Sequence, residues 1–423
     1  MRNVLVIAYY WPPAGGPGVQ RWLKFVKYLG EHNCAVTVYI PENPSYPLVD
    51  NSMQSEIPKN VTILKQPIKE PYRIAGWFGK KQTKKLSAGV IPIQKQSFIT
   101  KFLLWVRGNV FIPDARIFWV KPSVRFLQDY CKHNKMDTII TTGPPHSVHL
   151  IGARLQKLTG KRWLADFRDP WTTIGYHTQL KLTTFAQKKH KALERMVLQQ
   201  ANAIIVTSPA TKKEFSKLTT KPIQVITNGF DTEIAKDVVL DEYFTISHIG
   251  SLLSGRNPEL FWQAISELRT ENEAFNVKCK LQFIGAVSDD VLARIAAYNL
   301  QDITYSLGYI AHHDAVRYQQ KSQVLLLLEI DRPETRGIIA GKLFEYMAAS
   351  RPIIAIGPSQ WDVAKIIAET NSGHSFTYQE KDALKALLLT CFERYQQQNL
   401  NVHSYGVEKY SRKALTKQLA KLV

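Results

Sequence analysis

Cysteine is scarce: the 423 residues hold four, Cys34, Cys131, Cys279 and Cys391, far apart and with no CxxC or Cys/His spacing. That excludes a disulfide framework and a zinc site, and it fits a reducing compartment. Long apolar runs are also missing. None reaches the ~18–20 uninterrupted residues of a bilayer-spanning helix, so any membrane contact is expected to be peripheral. The opening MRNVLVIAYYWPP has one Arg and a short apolar run with no small-residue cleavage site, which reads as a buried strand and predicts no signal peptide. Neither a GxGxxG fingerprint nor a GxxxxGK[ST] loop occurs in the right context, which disfavours nicotinamide and P-loop chemistry. No DxD pair or other carboxylate cluster suits Mg²⁺, so no metal site is expected.

What is present is a globular composition, 45% hydrophobic and 21% charged, long enough for two domains. The charge is segregated. Residues 1–220 hold 33 Lys+Arg and 12 Asp+Glu, a net +21, whereas the remainder carries −1. A one-sided basic surface attracts phosphates, whether of nucleic acid, anionic lipid or a phosphorylated substrate.

Apolar periodicity predicts alternating strands and helices in two series. The first runs through strand Val4–Tyr10, helix Val19–Leu29, strand Ala35–Ile40, strand Thr138–Thr142, helix His146–Leu158, strand Trp163–Asp166, helix Leu182–Gln200 and strand Ala203–Thr207. The second opens at strand Ile223–Ile226 and continues to a helix at Lys381–Tyr395. Alternation of this kind predicts two doubly wound parallel sheets, with ligands at the carboxyl ends of the strands in a cleft between domains. Between the early strands and Met136, the stretch 67–125 mixes Lys80, Lys81, Lys84 and Lys85 with Trp77, Phe78, Phe102, Trp105, Phe118 and Trp119. Those ingredients suit an anionic membrane interface or single-stranded nucleic acid, and equally a core lined by a solvated loop.

Candidate site residues fall at strand ends. Gly15, Gly16 and Gly18 follow the first strand and open a helix, where missing side chains let a phosphate approach backbone N–H groups; a tight turn accounts for them as well. Gly143 and His146 lie in TTGPPHS, and Asp166, Arg168 and Asp169 in ADFRDPW, a candidate acceptor-hydroxyl or phosphate site or a structural Arg–Asp pair. In the second series Gly250 and Ser251 end a strand, Arg256 precedes a helix, and Gly341, Lys342, Leu343 and Glu345 open another. A diphosphate would meet Arg256, Lys342 and the helix N-terminal amides while Glu345 accepts ribose hydroxyls; a surface ion pair between Lys342 and Glu345 is the alternative.

These residues resemble the two-domain GT-B glycosyltransferases, most closely glycosyltransferase family 4, over nearly the whole chain. The resemblance rests on Ile226–Asp231 with Asn228, on Gly250 followed six positions later by Arg256, and on the KLFEYM helix before Arg351-Pro352. In the first half it rests on the glycine loop, PDARIFW at 113–119, Gly143-Pro144-Pro145 and ADFRDPW. It implies a GT-B architecture of two Rossmann-like domains: residues 1–220 facing acceptor and membrane, 221–409 binding the donor, and a final helix within 410–422 packing back on the first. It further implies metal-independent transfer of a hexosyl group from a nucleotide sugar, UDP- or GDP-linked, with retention at the anomeric carbon and no other cofactor. Arg256 and Lys342 would hold the donor diphosphate, Glu345 the ribose, and Gly16 the phosphate or acceptor side of the cleft; Asp169 joins them as a catalytic candidate. Two departures stand out. Gly337 occupies the place of the first glutamate of the family's E-x7-E pattern, and Ser251 that of an Arg.

The expectation is therefore a cytoplasmic enzyme at the inner face of the plasma membrane, extending a lipid-linked or saccharide acceptor in lipopolysaccharide or capsule synthesis. A GT-B-fold sugar-nucleotide epimerase is the alternative within enzymes. A nucleic-acid-binding protein is disfavoured by the lack of any helix-turn-helix, RNP or zinc signature.

Overall fold

The computed structural model describes residues 1–70, 98–231 and 238–423, and the chain divides into two compact units. Unit 1 comprises Met1–Asn228 and Arg412–Val423, and unit 2 comprises Gly229–Ser411. Lys80, Lys81, Lys84, Lys85, Trp77 and Phe78 lie outside the described residues.

Unit 1 is built on strands β1 (Arg2–Ala8), β2 (Cys34–Pro41), β3 (Thr62–Gln66), β4 (Thr138–Gly143), β5 (Arg162–Phe167), β6 (Ala203–Val206) and β7 (Ile223–Val225). They form one parallel sheet in the order β3-β2-β1-β4-β5-β6-β7. Its helices are α1 (Pro17–Glu31), α2 (Phe98–Asn109), α3 (Ile117–His133), α4 (Ser147–Thr159), α5 (Thr184–Gln200) and α6 (Pro209–Phe215). Val4, Val6 and Ile140 pack into one core while Leu5, Ile7 and Ile139 pack into another, so alternate residues of each strand serve opposite faces. Both faces are covered, which is why these strands read as unbroken apolar runs.

Unit 2 repeats the plan with β8 (Phe244–Ile249), α7 (Glu259–Glu271), α8 (Glu273–Lys278), β9 (Cys279–Ile284), α9 (Asp289–Ala297), β10 (Thr304–Gly308), α10 (His312–Lys321) and β11 (Val324–Leu328). There follow α11 (Gly341–Ala348), β12 (Ile353–Ile356), α12 (Asp362–Thr370), β13 (Gly373–Phe376) and α13 (Lys381–Gln396). The sheet order is β10-β9-β8-β11-β12-β13, again parallel.

The last helix, α14 (Arg412–Ala420), belongs to unit 1. Leu415, Leu419 and Ala420 join the core beneath α1, and Arg2 donates to the Ala420 carbonyl at 2.8 Å. The strand expected to open the second series pairs instead with β6, through Ile204↔Ile223, and is the edge of the first sheet. Within 98–125 the aromatics divide: Trp119 is buried and stacks on Tyr39 at 5.1 Å, whereas Phe102 and Trp105 face solvent.

One buried charge positions α1. Asp166 at the end of β5 accepts from Trp22 Nε1 (2.7 Å), Thr142 Oγ1 (2.8 Å) and Arg21 Nη2 (3.2 Å). Arg21 also donates to the Ile226 carbonyl at 2.9 Å and to that of Thr227, and both side chains are buried. The expectation that Asp166 meets a substrate is corrected: its oxygens are consumed inside the protein. Asp166→Ala would leave the Arg21 guanidinium buried without its carboxylate, so the expected cost is about 3–5 kcal/mol, read as a lower urea midpoint. A cost under about 1 kcal/mol would refute this role.

Candidate active site

In unit 2 the polar residues collect where β8 and β11 end and α11 begins. His248, the penultimate residue of β8, is buried, and its Nδ1 bonds the Leu326 carbonyl at 2.9 Å. A carbonyl only accepts, so Nδ1 carries the proton and Nε2 is free to accept from Lys342 Nζ at 3.3 Å. Burial, then the charge of Lys342, holds His248 well below the usual histidine range, and it is neutral. Gly250 makes room for the lysine. With φ +125°, it sits where a Cβ would collide with Lys342 Nζ, so only glycine lets the ammonium lie against this turn.

Arg256 lies in the short turn Ser254–Arg256 and forms a two-pronged ion pair with Glu329: Nε to Oε1 at 3.2 Å and Nη2 to Oε2 at 3.1 Å. Glu329 is buried and also accepts from the Ile330 amide at 2.9 Å. Arg256 takes this buried carboxylate at ion-pair distance, and Lys342 feels its charge only at longer range. Burial, then repulsion by Arg256, lowers the Lys342 pKa to about 7, against the weaker pull of Glu329 and Glu345. Among the described residues no carboxylate lies within ion-pair distance of Lys342, so the surface pair with Glu345 does not form.

Glu345, on the next turn of α11, accepts from Gln319 Nε2 at 3.0 Å and stands 3.8 Å from His312 Nε2, both on α10. Gly341, half-buried, opens the helix, whose first turn has no side-chain cap. Ser251 is exposed after β8. Leu343, by contrast, is fully buried in the core of unit 2, which corrects its place among ligand contacts. Gly337 is half-buried, with Glu334 and Asp331 exposed nearby in the same loop.

Sequence reasoning missed Glu329 and His248 as members of this group. The available signal was a single charge closing the run VLLLLE, since a carboxylate at the end of a buried strand needs a cationic partner.

Unit 1 gathers its candidates at the ends of β4 and β5. Gly16 caps α1 at φ +110° and its carbonyl receives the Val19 and Gln20 amides. The Arg168 guanidinium lies directly over Gly18, in space that a Cβ would occupy. Arg168 donates to the Gly143 carbonyl (3.4 Å) and to that of Pro144, and its own amide to Gly143 at 3.0 Å. No described carboxylate pairs with it at ion-pair distance. The result is a cation fixed at the N-terminal, positive end of α1. Asp169 follows it, and burial raises its pKa above the usual carboxylate range against the opposing effect of Arg168.

Two residues here are structural. Gly15 bonds the Leu48 carbonyl at 3.0 Å and packs on that side chain. His146 is buried and stacks on Trp171 at 4.7 Å and 3°, which corrects its reading as a substrate contact; burial keeps it neutral, far below its usual value. Asp114 explains PDARIFW: its Oδ2 accepts the Ser147 amide (2.8 Å) at the start of α4 and its Oδ1 that of Arg116 (2.9 Å). Asn228 is the half-buried last residue of the first stretch of unit 1. Among the described residues no group of three or more His, Cys, Asp or Glu is arranged to hold a metal ion.

Residues 99–234 match the profile of Glycosyltransferase Family 4. No curated protein matches the sequence. Solved structures do. Sucrose-phosphate synthase from Thermosynechococcus elongatus aligns with TM-score 0.62 and 13% identity, over 100% of this chain and 98% of that one. Anabaena HepE in complex with UDP-glucose aligns with TM-score 0.61 and 13% identity, over 100% and 99%. The apo lipopolysaccharide outer core galactosyltransferase WaaB gives TM-score 0.58 and 14% identity, over 99% and 98%.

The lowered lysine pKa has a definite stability signature. Between about pH 7 and 10.5 the unfolded chain keeps the Lys342 proton and the folded chain does not, so stability rises with pH across that window. Lys342→Met removes the linkage. The Tm difference, variant minus wild type, is expected to be most positive below pH ~7 and to fall toward pH ~10; a difference that does not change with pH would contradict the assignment.

Proposed function

We propose that this chain, which has the GT-B glycosyltransferase fold with its two Rossmann-like domains, transfers a hexosyl group from a nucleotide sugar bound by unit 2. The observation that carries the reading is the pair Arg256 and Lys342, two cations set against one buried carboxylate beside the first turn of α11. A donor diphosphate supplies the missing negative charge. As the bond between the anomeric carbon and the diphosphate oxygen breaks, charge grows on that oxygen, and fixed cations and helix amides stabilise it without reorganising. The acceptor hydroxyl oxygen then bonds the anomeric carbon and loses its proton, and the nucleoside diphosphate departs. Glu345 takes the ribose hydroxyls in this reading.

The acceptor is assigned to unit 1, at Gly16, Gly18, Arg168 and Asp169. An Asp169 carboxyl with a raised pKa suits proton exchange with an acceptor hydroxyl, and the Arg168 cation suits an acceptor phosphate. The proposed acceptor is a lipid-linked or saccharide glycan of cell-surface polysaccharide, and the likeness to a lipopolysaccharide galactosyltransferase supports that choice. Retention, independence from metal, a UDP- or GDP-linked donor and a cytoplasmic site at the membrane complete the proposal. Among the described residues no helix is long and apolar enough to cross a membrane.

The test is a thermal-shift panel of UDP, GDP, ADP, CMP and dTDP. A nucleotide that binds only the folded state stabilises by about 2.7 kcal/mol at a hundredfold excess over Kd. One of the five is expected to shift Tm, with the shift abolished in Lys342→Met and reduced in Glu345→Gln. No shift with any, or shifts untouched by both substitutions, would remove the donor site from α11.

Binding is also expected to depend on pH. A bound diphosphate favours protonated Lys342 and so raises its pKa above about 7. Affinity should then fall as pH rises from ~7, by at most about tenfold per pH unit. Titration calorimetry in buffers of different ionisation enthalpy would register the proton uptake, and its absence near pH ~8 would contradict the role of Lys342.

A further inference from the structure

Helix α2 is amphipathic in an unusual sense. Its inner side holds Leu104, buried against Leu180 and Leu182, while its outer side presents Phe102 (57% exposed) stacked on Trp105 (40% exposed) at 6.4 Å. Two adjacent large aromatics in solvent are costly unless something covers them. The helix is not loosely attached. Asn109 Oδ1 receives the Thr183 amide at 2.7 Å, Thr183 caps α5 through the Ala186 amide at 3.2 Å, and His190 of α5 reaches the Gly108 carbonyl at 3.4 Å.

That attachment sets a third exposed ring, Phe185 (71% exposed), on the first turn of α5, with Lys189 5.9 Å above it. Lys181 and Lys188 are exposed beside it. The two stretches that hold these residues, 98–113 and 170–193, contain six Lys or Arg and not one Asp or Glu. Phe102 and Trp105 thus stand exposed on one element, and Phe185, Lys181, Lys188 and Lys189 on or beside the start of another that is tied to it within unit 1.

We infer that the outer faces of α2 and of the start of α5 dock unit 1 on an anionic lipid bilayer, with Phe102, Trp105 and Phe185 at headgroup depth and Lys181, Lys188 and Lys189 on lipid phosphates. The occupant is fixed by the chemistry of the face. Rings with cations and no acids match a surface that is negative outside and apolar a few ångströms below. The inference deepens the reading above, since a lipid-linked acceptor would be presented at such a surface.

The test uses the full chain and sedimentation with vesicles of phosphatidylcholine alone or mixed with phosphatidylglycerol. Wild-type protein is expected to sediment with the mixed vesicles and to be released by salt. The Lys181→Glu, Lys188→Glu, Lys189→Glu variant should lose roughly tenfold or more in partition, as should the Phe102→Ser, Trp105→Ser, Phe185→Ser variant. Both sets are exposed, and unchanged Tm would show that folding is intact. A control of equal charge, Lys132→Glu, Lys135→Glu, Lys157→Glu, alters exposed residues near the opposite, amino-terminal end of the sheet and should bind as wild type. Equal losses in the control and the patch variants would mean net charge alone and overturn the assignment. So would binding indifferent to phosphatidylglycerol, or a patch that governs retention of a single-stranded oligonucleotide while vesicles are ignored. The nucleotide shift in unit 2 is read separately, so vesicle binding and donor binding fail independently.

Discussion

The constraint on which everything else depends is the parallel ladder. Strands whose two faces are both covered have no room for charge along their length, so polar residues are displaced to the carboxyl ends, where backbone groups and helix starts can receive them. In unit 1 this gathers Asp166, Arg168 and Asp169 at the end of β5 and Gly143 at the end of β4. In unit 2 it gathers His248 and Gly250 at the end of β8 and Glu329 at the end of β11. The chemistry of each unit stands where the sheet allows polar side chains.

The same constraint made most of the fold legible. VLLLL at 324–328 has the length and apolar continuity of a strand buried on both sides, which it is, and the Gly-rich loop between Tyr10 and Val19 marks the turn from strand to helix. Less visible were elements whose sequence lacks that contrast. TILKQ at 62–66 is a half-exposed strand, and α2 carries aromatics on its solvent side, the reverse of the usual pattern. The strand at 223–225 follows a boundary suggested by charge, yet backbone pairing with β6 keeps it in the first sheet.

At the sites, residue type was informative and orientation was not. Lys342, Glu345 and Arg256 could be selected by spacing, but their partners come from other strands. Glu329 lies 73 residues from Arg256, and His248 lies 94 from Lys342. The motif around Asp166 pointed to chemistry because it joins acids to an arginine, yet Asp166 points inward to Arg21 and Trp22 while Arg168 turns toward the glycine loop. β5 ends at Phe167, so Asp166 is held within the strand while Arg168 stands on the loop that follows, and a cluster in sequence becomes a structural tie and a candidate site.

The placement of α14 bears on how the molecule is made. Unit 2 is a single uninterrupted stretch, 229–411, whereas unit 1 takes its last helix from 412–423. During synthesis unit 2 has all its residues before unit 1 does. The nascent first sheet must wait, with the apolar side of α1 and the Val4 and Val36 face incompletely covered, until Leu415 and Leu419 leave the ribosome. Vectorial folding therefore closes the basic unit last, and a ribosome stalled before residue 412 would present that uncovered surface to chaperones.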